Sequence, residues 1–345
     1  MSISFGDFVS HGEMTYPASD RPAPLVVLVS GSGPEDLNGD DASVGGTSRG
    51  HLFADVARSL AEQGFATLRY NKHYVAGIGD IDPRFGTDLT MTQLVADVRT
   101  AVQAGVRDPR IDAQRVYLYG WSEGTTVAAA AADNMPNLRG VILQGVVGIP
   151  WREGLIAQWE RVVIPYLRGF AREGSVGIAD LGRAWRGDGG VVPHELVGVL
   201  ADGLDSVQPV LNPAFDVDGN GRIDLDAELR TAAVQFTDTQ LAGGAFRLYG
   251  APSTLADVAA QAPTLRHVPV LTVHGDNDSN VSVAAAQRVD RALAEVGSRD
   301  HTLITYPGLG HSLGAATDLL HDPIGPIGRQ PLDDIGKWLR DREGR

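Results

Sequence analysis

Short runs of apolar residues recur along the chain, separated by segments with the residue pattern of helices. The runs occupy residues 25–30, 66–70, 116–119, 140–145, 270–274 and 302–306. Continuous apolar runs of this length are typical of strands buried on both faces of a parallel sheet, and helices between them form the crossovers. The pattern predicts an α/β fold: a mostly parallel, doubly wound sheet with helices on both faces. Before the first run, residues 1–24 are expected to form a polar edge hairpin or an extended lead-in.

The alternation stops between residues 149 and 264. Trp151, Trp159 and Trp185 fall in this region, among helix-like segments with no clear buried strand. An insertion that follows a sheet strand lies over the carboxyl edge of the sheet, so we predict a helical cap over residues 149–264 and a core made of residues 1–148 and 265–345. Aromatic residues in a cap either line an apolar substrate pocket or pack the cap helices together, and the sequence leaves both open.

The pattern Gly-x-Ser-x-Gly occurs three times, centred on Ser48, Ser122 and Ser312. Only Ser122 directly follows a predicted strand and directly precedes a predicted helix. A serine at such a junction occupies a sharp, strained turn that exposes its hydroxyl, and the flanking glycines remove Cβ atoms that would collide there. Ser48 is interpreted as the N-cap of a helix over residues 48–63, and no strand leads directly into Ser312. Ser122 is therefore the predicted nucleophile.

A serine hydroxyl is a weak nucleophile until an imidazole accepts its proton, and the imidazole needs an acid to orient it and to stabilise its charged form. Asp278 and His311 lie just past the ends of two later predicted strands. Asp276 and His274 compete with them, but Asp278 lies further into its loop, and His274 ends its own strand, where buried packing is expected. The predicted catalytic residues are Ser122, Asp278 and His311.

Two backbone N–H groups are candidates for an oxyanion hole. Residues 30–34, Ser-Gly-Ser-Gly-Pro, follow the first buried strand, where a Gly-rich turn points N–H groups into the site. We predict that the N–H groups of Ser32 and Glu123 bind the oxyanion, with a simple tight turn as the alternative. The turn lacks the lysine and spacing of a phosphate-binding loop. His73, in the loop after the second buried strand, is expected to be a solvated residue, with substrate contact as the alternative.

Residues 216–228 match an EF-hand loop at its first positions, with Asp, Asp and Asn at positions 1, 3 and 5 and Gly at position 6. Position 12 is Ala227, so the bidentate acid must come from a loop one residue longer or be absent, and weaker affinity for Ca²⁺ is expected. A structural Ca²⁺ that holds the cap together is predicted, with a metal-free polar turn as the alternative. The predicted ligand residues are Asp216, Asp218, Asn220, Arg222 and Glu228.

Composition limits the choice of partners. The formal net charge of the 345 residues is -14, and no basic run is present, which argues against nucleic acid and anionic membranes as partners. The absence of cysteine excludes disulfides, thiolate metal sites and cysteine nucleophiles. The N-terminus lacks a basic segment followed by an apolar core, and nowhere are there about 18 consecutive apolar residues. A cytoplasmic protein with no membrane partner is expected.

Taken together, the motifs resemble those of α/β-hydrolase-fold serine hydrolases, in particular bacterial esterases related to dienelactone hydrolases and the catalytic domains of prolyl-oligopeptidase-type peptidases. The matching segments are residues 30–34, 68–72, 120–124, 275–278 and 310–311. The order serine, aspartate, histidine also matches that fold. The family pattern has Asp where Asn71 stands and usually a Gly-rich stretch at residues 73–76, so details of the pocket do not carry over.

The resemblance implies a capped hydrolase that cleaves a small-molecule carboxylic ester through an acyl-enzyme intermediate and needs no cofactor for catalysis. A peptidase or amidase, a thioesterase, or an acyltransferase with the same triad is the alternative, and a non-catalytic calcium-binding protein of this fold is a remote one. The identity of the substrate and the oligomeric state are left open by the sequence.

Overall fold

A computed structural model describes residues 1–40 and 51–344. Its centre is an eight-stranded sheet, whose strands are numbered in chain order. They are β1 (Ser2–Ser4), β2 (Val9–Thr15), β3 (Ala23–Val29), β4 (Ala66–Tyr70), β5 (Ile111–Trp121), β6 (Leu138–Gln144), β7 (Val270–Gly275) and β8 (His301–Tyr306). Their spatial order is β1-β2-β4-β3-β5-β6-β7-β8. The strands from β3 onward pair in parallel, whereas β1 and β2 form an antiparallel edge.

The six predicted strands correspond to β3 through β8, and the mostly parallel sheet is confirmed. Every residue of β3, β4 and β7 is buried, as expected for strands covered on both faces. Because parallel strands end at the same edge, the loops after β3, β4, β5, β7 and β8 meet there. This carboxyl edge holds the candidate site.

Helices cover both faces of the sheet. They are α1 (Leu52–Glu62), α2 (Arg84–Thr87), α3 (Met91–Gly105), α4 (Glu123–Ala131), α5 (Trp151–Gln158), α6 (Ile164–Arg168), α7 (Ile178–Trp185), α8 (Val191–Gly198), α9 (Leu229–Gly243), α10 (Ala262–Leu265), α11 (Val283–Glu295) and α12 (Arg329–Glu343). On one face the core includes α1 and α12, and on the other it includes α3, α4 and α11. Helix α3 begins after an N-cap at Thr90, which forms a reciprocal capping box with Gln93. The predicted N-cap Ser48 lies outside the described residues.

The chain between β6 and β7 builds a hydrophobic core of its own. Trp159, in a π-helical turn over Trp159–Val163, packs against Phe215 and Phe236 with ring centroids 5.7 and 6.0 Å apart. This tryptophan therefore packs cap elements together. The region also contains short strands that the sequence pattern did not reveal, including Ser175–Gly177 paired with Arg222–Asp224. These strands are too short to show an alternating pattern.

Within residues 1–40 and 51–344, no helix combines the length and the apolar character needed to cross a bilayer.

Candidate active site

Ser122 occupies a strained turn between β5 and α4. Its backbone angles are φ 53° and ψ -120°, a combination that non-glycine residues rarely adopt and that is typical of functional sites. A Cβ atom on Gly120 would lie 2.3 Å from the carbonyl oxygen of Gly124, and one on Gly124 would lie 2.2 Å from the carbonyl oxygen of Val29. Both glycines are therefore required by the close approach of backbone around the turn.

His311 and Asp278 form a buried pair at the same sheet edge. The Nδ1 atom of His311 lies 2.8 Å from Oδ2 of Asp278, and both side chains are at most 2% exposed. The indole of Trp121, the residue before Ser122, lies 5.5 Å from the imidazole and donates a hydrogen bond to the His311 carbonyl oxygen. Gly145 leaves room for the ring, since a Cβ there would lie 2.9 Å from it. Residues from three separate loops thus converge beside the Ser122 turn.

The environment of Asp278 favours its ionised form. Burial raises the pKa of this carboxyl, but the charge and hydrogen bond of His311, together with His274 and the Val281 N–H, outweigh burial, so the pKa lies below its usual value. Such a carboxylate holds the ring with Nδ1 protonated and leaves Nε2 to accept a proton.

His274 and Asp276, the alternatives to His311 and Asp278, make other contacts. His274 is fully buried, as expected, and its Nε2 lies 3.0 Å from the Val281 carbonyl oxygen and 3.2 Å from Oδ2 of Asp278. Burial lowers the pKa of His274 and keeps this ring neutral. Asp276 is half-buried, and its N–H donates to the Tyr306 carbonyl oxygen, which closes the turn after β7.

Asp322 is a residue near the site that sequence reasoning missed. Its buried carboxylate accepts hydrogen bonds from the N–H groups of His311, at 2.9 Å, and Ser279, at 3.2 Å. Burial raises the pKa of Asp322, and the neighbouring Asp278 charge raises it further. No sequence signal marks this residue, because it lies 11 positions after His311 in an irregular segment.

The predicted oxyanion donors border a dense network of buried charges. The carboxylate of Glu35 accepts the Gly31 N–H at 2.7 Å. The side chain of Glu123 is fully buried and lies 2.9 Å from Lys72 Nζ, and it accepts the hydroxyl hydrogen of Tyr249 at 2.8 Å. These contacts engage the side chain of Glu123, while its N–H lies in the first turn of α4, where N–H groups have no partner within the helix.

Two further residues that the sequence offered, His73 and Ser312, are buried away from the proposed reaction. The expectation that His73 is solvated is wrong, because the ring is 2% exposed and lies between Phe5 and Phe8. Its Nδ1 lies 2.8 Å from Oδ2 of Asp97, a residue of α3 that the sequence did not indicate as a partner. Ser312 is buried and donates a hydrogen bond to the Gly325 carbonyl oxygen.

Comparisons with known proteins bear on the fold of this chain. A model of the family described as serine aminopeptidase, S33 matches residues 43–188, and a model of the prolyl oligopeptidase family matches residues 225–322. The structure resembles Est1E from Butyrivibrio proteoclasticus with a TM-score of 0.51 and 13% identity, over 100% of this chain and 99% of that one. It resembles proline iminopeptidase from Mycobacterium smegmatis with a TM-score of 0.52 and 17% identity, over 99% and 98%. The chain has the α/β-hydrolase fold.

Among curated sequences, this chain is 34% identical to esterase EstD from Thermotoga maritima over 123 residues. The match covers 35% of this chain and 27% of EstD, so the chain matches less than a third of that relative's length. Together the matches support a hydrolase of ester or peptide bonds as the general class of activity.

Two pockets border the candidate site. One is a cavity of about 330 Å³ beside the Gly-rich loop, and its walls are mainly apolar. They include Pro34, Phe85, Leu248 and Tyr249, together with the charged residues Asp82 and Arg247. The other lies beyond Asp278 between sheet and cap, where Trp151 and Arg161 line it. Trp151 thus lines a pocket, whereas the half-buried Trp185 bonds to Asp205 within the cap.

The EF-hand-like loop, residues 216–228, lies in the predicted cap region and contains the short strand Arg222–Asp224. Oxygen atoms of Asp216, Asp218 and Glu228 all lie within 4.8 Å of one another. The other two predicted ligand residues use their side chains elsewhere: Asn220 bonds to Asp218 and to the Arg222 N–H, and the Arg222 guanidinium bonds to Ser175.

Proposed function

We propose that this protein is a serine hydrolase that cleaves carboxylic esters of small molecules. The observation that carries the proposal is the buried Asp278–His311 pair beside a serine held at a positive φ angle. No other histidine among the described residues combines a carboxylate partner with a position at the Ser122 turn.

The proposed reaction follows from these groups. The Ser122 hydroxyl attacks the ester carbonyl carbon while His311 Nε2 takes its proton, and Asp278 stabilises the imidazolium. The N–H groups of Ser32 and Glu123 stabilise the oxyanion. Collapse of the tetrahedral intermediate breaks the ester C–O bond, and His311 returns the proton to the leaving alcohol. Water then repeats the sequence on the acyl-enzyme and releases the acid.

Electrostatics favours an uncharged ester over the substrate of an aminopeptidase. An aminopeptidase must bind the α-ammonium group of its substrate, which calls for an available carboxylate. The two acids that border the Gly-rich loop and the Ser122 turn are already engaged, Glu35 by the Gly31 N–H and Glu123 by Lys72 and Tyr249. The cavity beside Gly33 is mainly apolar, and the charged groups in its wall are engaged as well, Asp82 by Arg84 and Arg247 by backbone carbonyl oxygens. It therefore suits an uncharged acyl or alcohol group.

Turnover of p-nitrophenyl acetate and butyrate, compared with aminoacyl p-nitroanilides, tests the proposal. We expect ester turnover in the wild type and a loss of about 10⁴-fold or more in kcat for Ser122→Ala. Ser48→Ala, which changes a serine in the same sequence pattern, is the matched control and should retain activity. Turnover of anilides alone would favour the peptidase alternative, and ester turnover that survives Ser122→Ala would refute the assigned nucleophile.

We also propose that the loop over residues 216–228 binds Ca²⁺ through Asp216, Asp218 and Glu228. Support comes from the spacing of the oxygen ligands and from the Oδ1 atom of Asp216, which is buried and makes no hydrogen bond within the described residues. Glu228 follows position 12 directly, so it supplies the acid in a loop one residue longer than an EF-hand loop. Its Oε1 accepts the N–H of Val217.

A further inference from the structure

Lys72 is buried directly beneath the Gly-rich loop. It follows β4, its side chain is 2% exposed, and it is one of two lysines in the chain. Its Nζ donates to the carbonyl oxygen of Gly31, to that of Gly33 at 2.8 Å, and to Oε1 of Glu123 at 2.9 Å. An ammonium group has three N–H donors, so each proton of Lys72 has an acceptor.

The bond to Gly31 fixes the direction of the next N–H. A peptide unit is planar and trans, so its carbonyl and N–H point in opposite directions. The Gly31 carbonyl and the Ser32 N–H belong to the same unit. Because Lys72 holds that carbonyl toward the protein interior, the Ser32 N–H must point away from Lys72. This is the N–H assigned to the oxyanion in the proposed function.

A second set of bonds prevents the loop from rotating about that contact. The Gly31 N–H is held by the Glu35 carboxylate at 2.7 Å, and the Glu35 carbonyl oxygen accepts the backbone N–H of Lys72 at 3.3 Å. A Cβ on Gly31 would lie 3.3 Å from the Ser122 Cβ. The loop therefore passes close to the nucleophile, with the peptides on both sides of Gly31 held in place.

The same ammonium also binds the residue that carries the other assigned donor. Glu123 contributes its N–H from the start of α4, and its side chain pairs with Lys72. Tyr249 donates to the second oxygen of that carboxylate and stacks on Trp151, with ring centroids 4.1 Å apart and planes at 15°. Lys72 thus joins the Gly-rich loop to the start of α4, and Tyr249 extends this network to the first helix of the cap.

We propose that Lys72 is a positioning residue that orients the oxyanion-binding N–H groups of Ser32 and Glu123. The inference rests on the proposed function, since it concerns the same site. Lys72 lies behind the two peptide units and acts through them. Its removal should weaken binding of the transition state much more than binding of the substrate.

Lys72→Met, which keeps a long apolar stem without the ammonium, is the test. We expect kcat for p-nitrophenyl butyrate to fall about 100-fold or more, as for loss of an oxyanion donor, while KM stays within about threefold. Hexyl trifluoromethyl ketone is the second probe. The Ser122 oxygen bonds to its carbonyl carbon, the carbonyl electron pair becomes an oxyanion, and the serine proton passes to His311. Its inhibition constant should rise by the factor by which kcat/KM falls.

Lys337→Met is the matched control, because Lys337 is exposed on α12 and pairs only with Asp341 among the described residues; its kinetics should equal those of the wild type. Where Lys72→Met does not fold, as judged by its melting curve, the charge-neutral variant Lys72→Met/Glu123→Gln takes its place with the same expectation.

A folded variant with wild-type kcat, or one whose kcat falls without weaker ketone binding, overturns the role of Lys72. A wild type that neither hydrolyses esters nor binds the ketone overturns the proposed function, and the role of Lys72 with it.

Discussion

Asp278 contacts two imidazoles, and only one of them faces the Ser122 turn. His311 Nδ1 lies 2.8 Å from its Oδ2 and His274 Nε2 lies 3.2 Å from the same oxygen. The Val281 N–H donates to the other oxygen at 2.7 Å. The hydrogen bonds from His311 and Val281 fix the carboxylate in one orientation, so it can select a single tautomer of His311.

Replacement of Asp278 by Asn should therefore lower kcat by about 10³–10⁴-fold, because an amide cannot stabilise the imidazolium and permits the wrong tautomer. Asp276→Asn, two residues earlier and without a contact to His311 among the described residues, is the matched control. Ester turnover and melting temperature check both. A folded Asp278→Asn variant with full activity would contradict the assignment of this acid.

The residues of the site differ in how far the sequence reveals them. Ser122, Asp278 and His311 can be predicted because each follows a strand end in a Gly-rich loop, and the chemistry allows few residue types. Lys72, Asp322 and Tyr249 have no such signal. Their importance comes from partners more than 10 residues away, which only the folded chain brings together.

At the scale of the element, the loop after β4 departs from the family pattern for a physical reason. Asn71 accepts the Leu37 N–H and donates to the Ala76 carbonyl oxygen, each at 2.8 Å. An ionised aspartate accepts hydrogen bonds but cannot donate. The amide thus holds two loops together at once. Tyr74, at φ 67°, lies in the stretch over residues 73–76 where the resemblance leads us to expect a Gly-rich sequence.

The His73–Asp97 pair in this loop gives a prediction about pH. Burial lowers the pKa of His73, but the hydrogen bonds and charges of Asp97 and, to a smaller extent, Asp7 outweigh it, and the pKa lies above its ordinary value of 6.5. Stabilisation by the pair is therefore fully present below that value and lost as the pH rises through the folded pKa. Burial also raises the pKa of Asp97, yet we expect this carboxyl to be ionised while it is paired with the charged imidazole.

Asp97→Asn should consequently reduce the free energy of unfolding more near pH 6 than near pH 9. Urea unfolding at both pH values measures the difference, and Asp80→Asn, on the exposed part of the same loop, is the control. An equal loss at both pH values would mean that the charged pair does not contribute.

The strands of the sheet can be predicted from sequence because β3, β4 and β7 are short, mainly apolar runs that end at glycine or polar loops. Their burial in the structure agrees with this pattern. The cap is less regular. Its strands are two or three residues long and one helix contains a π turn. Periodicity needs longer segments to be recognised, so the sequence indicates an insertion without its internal architecture.

At the scale of the whole molecule, the cap contacts the carboxyl edge of the sheet through polar groups as well as apolar ones. Arg161, in the π turn, donates to the Asp278 carbonyl oxygen at 3.0 Å, and Tyr249 bonds to Glu123. Burial lowers the pKa of Arg161, and the Asp278 charge opposes this shift. The predicted cap region therefore touches the backbone of Asp278, the proposed acid, and the side chain of Glu123, next to the proposed nucleophile Ser122.

Calcium should stabilise the protein through the cap loop. A ligand that binds only the folded state at 100 times its Kd adds about 2.7 kcal/mol, which corresponds to about 3–5 °C in Tm for a chain of this size. Calorimetry with Ca²⁺ and with chelator measures the shift. Asp216→Asn should remove it, and Asp202→Asn, an exposed cap residue outside the loop, should not. A wild-type Tm that is insensitive to Ca²⁺ would contradict the proposed site.

The most direct test of the central claim is to treat the folded protein with a fluorophosphonate and locate the adduct by mass spectrometry. An activated serine bonds to the phosphorus and displaces fluoride, whereas ordinary serines do not react. We predict a single adduct on Ser122, formed much more slowly in His311→Ala. No adduct on folded protein, or an adduct on another serine such as Ser312, would contradict the claim that Ser122 is the nucleophile.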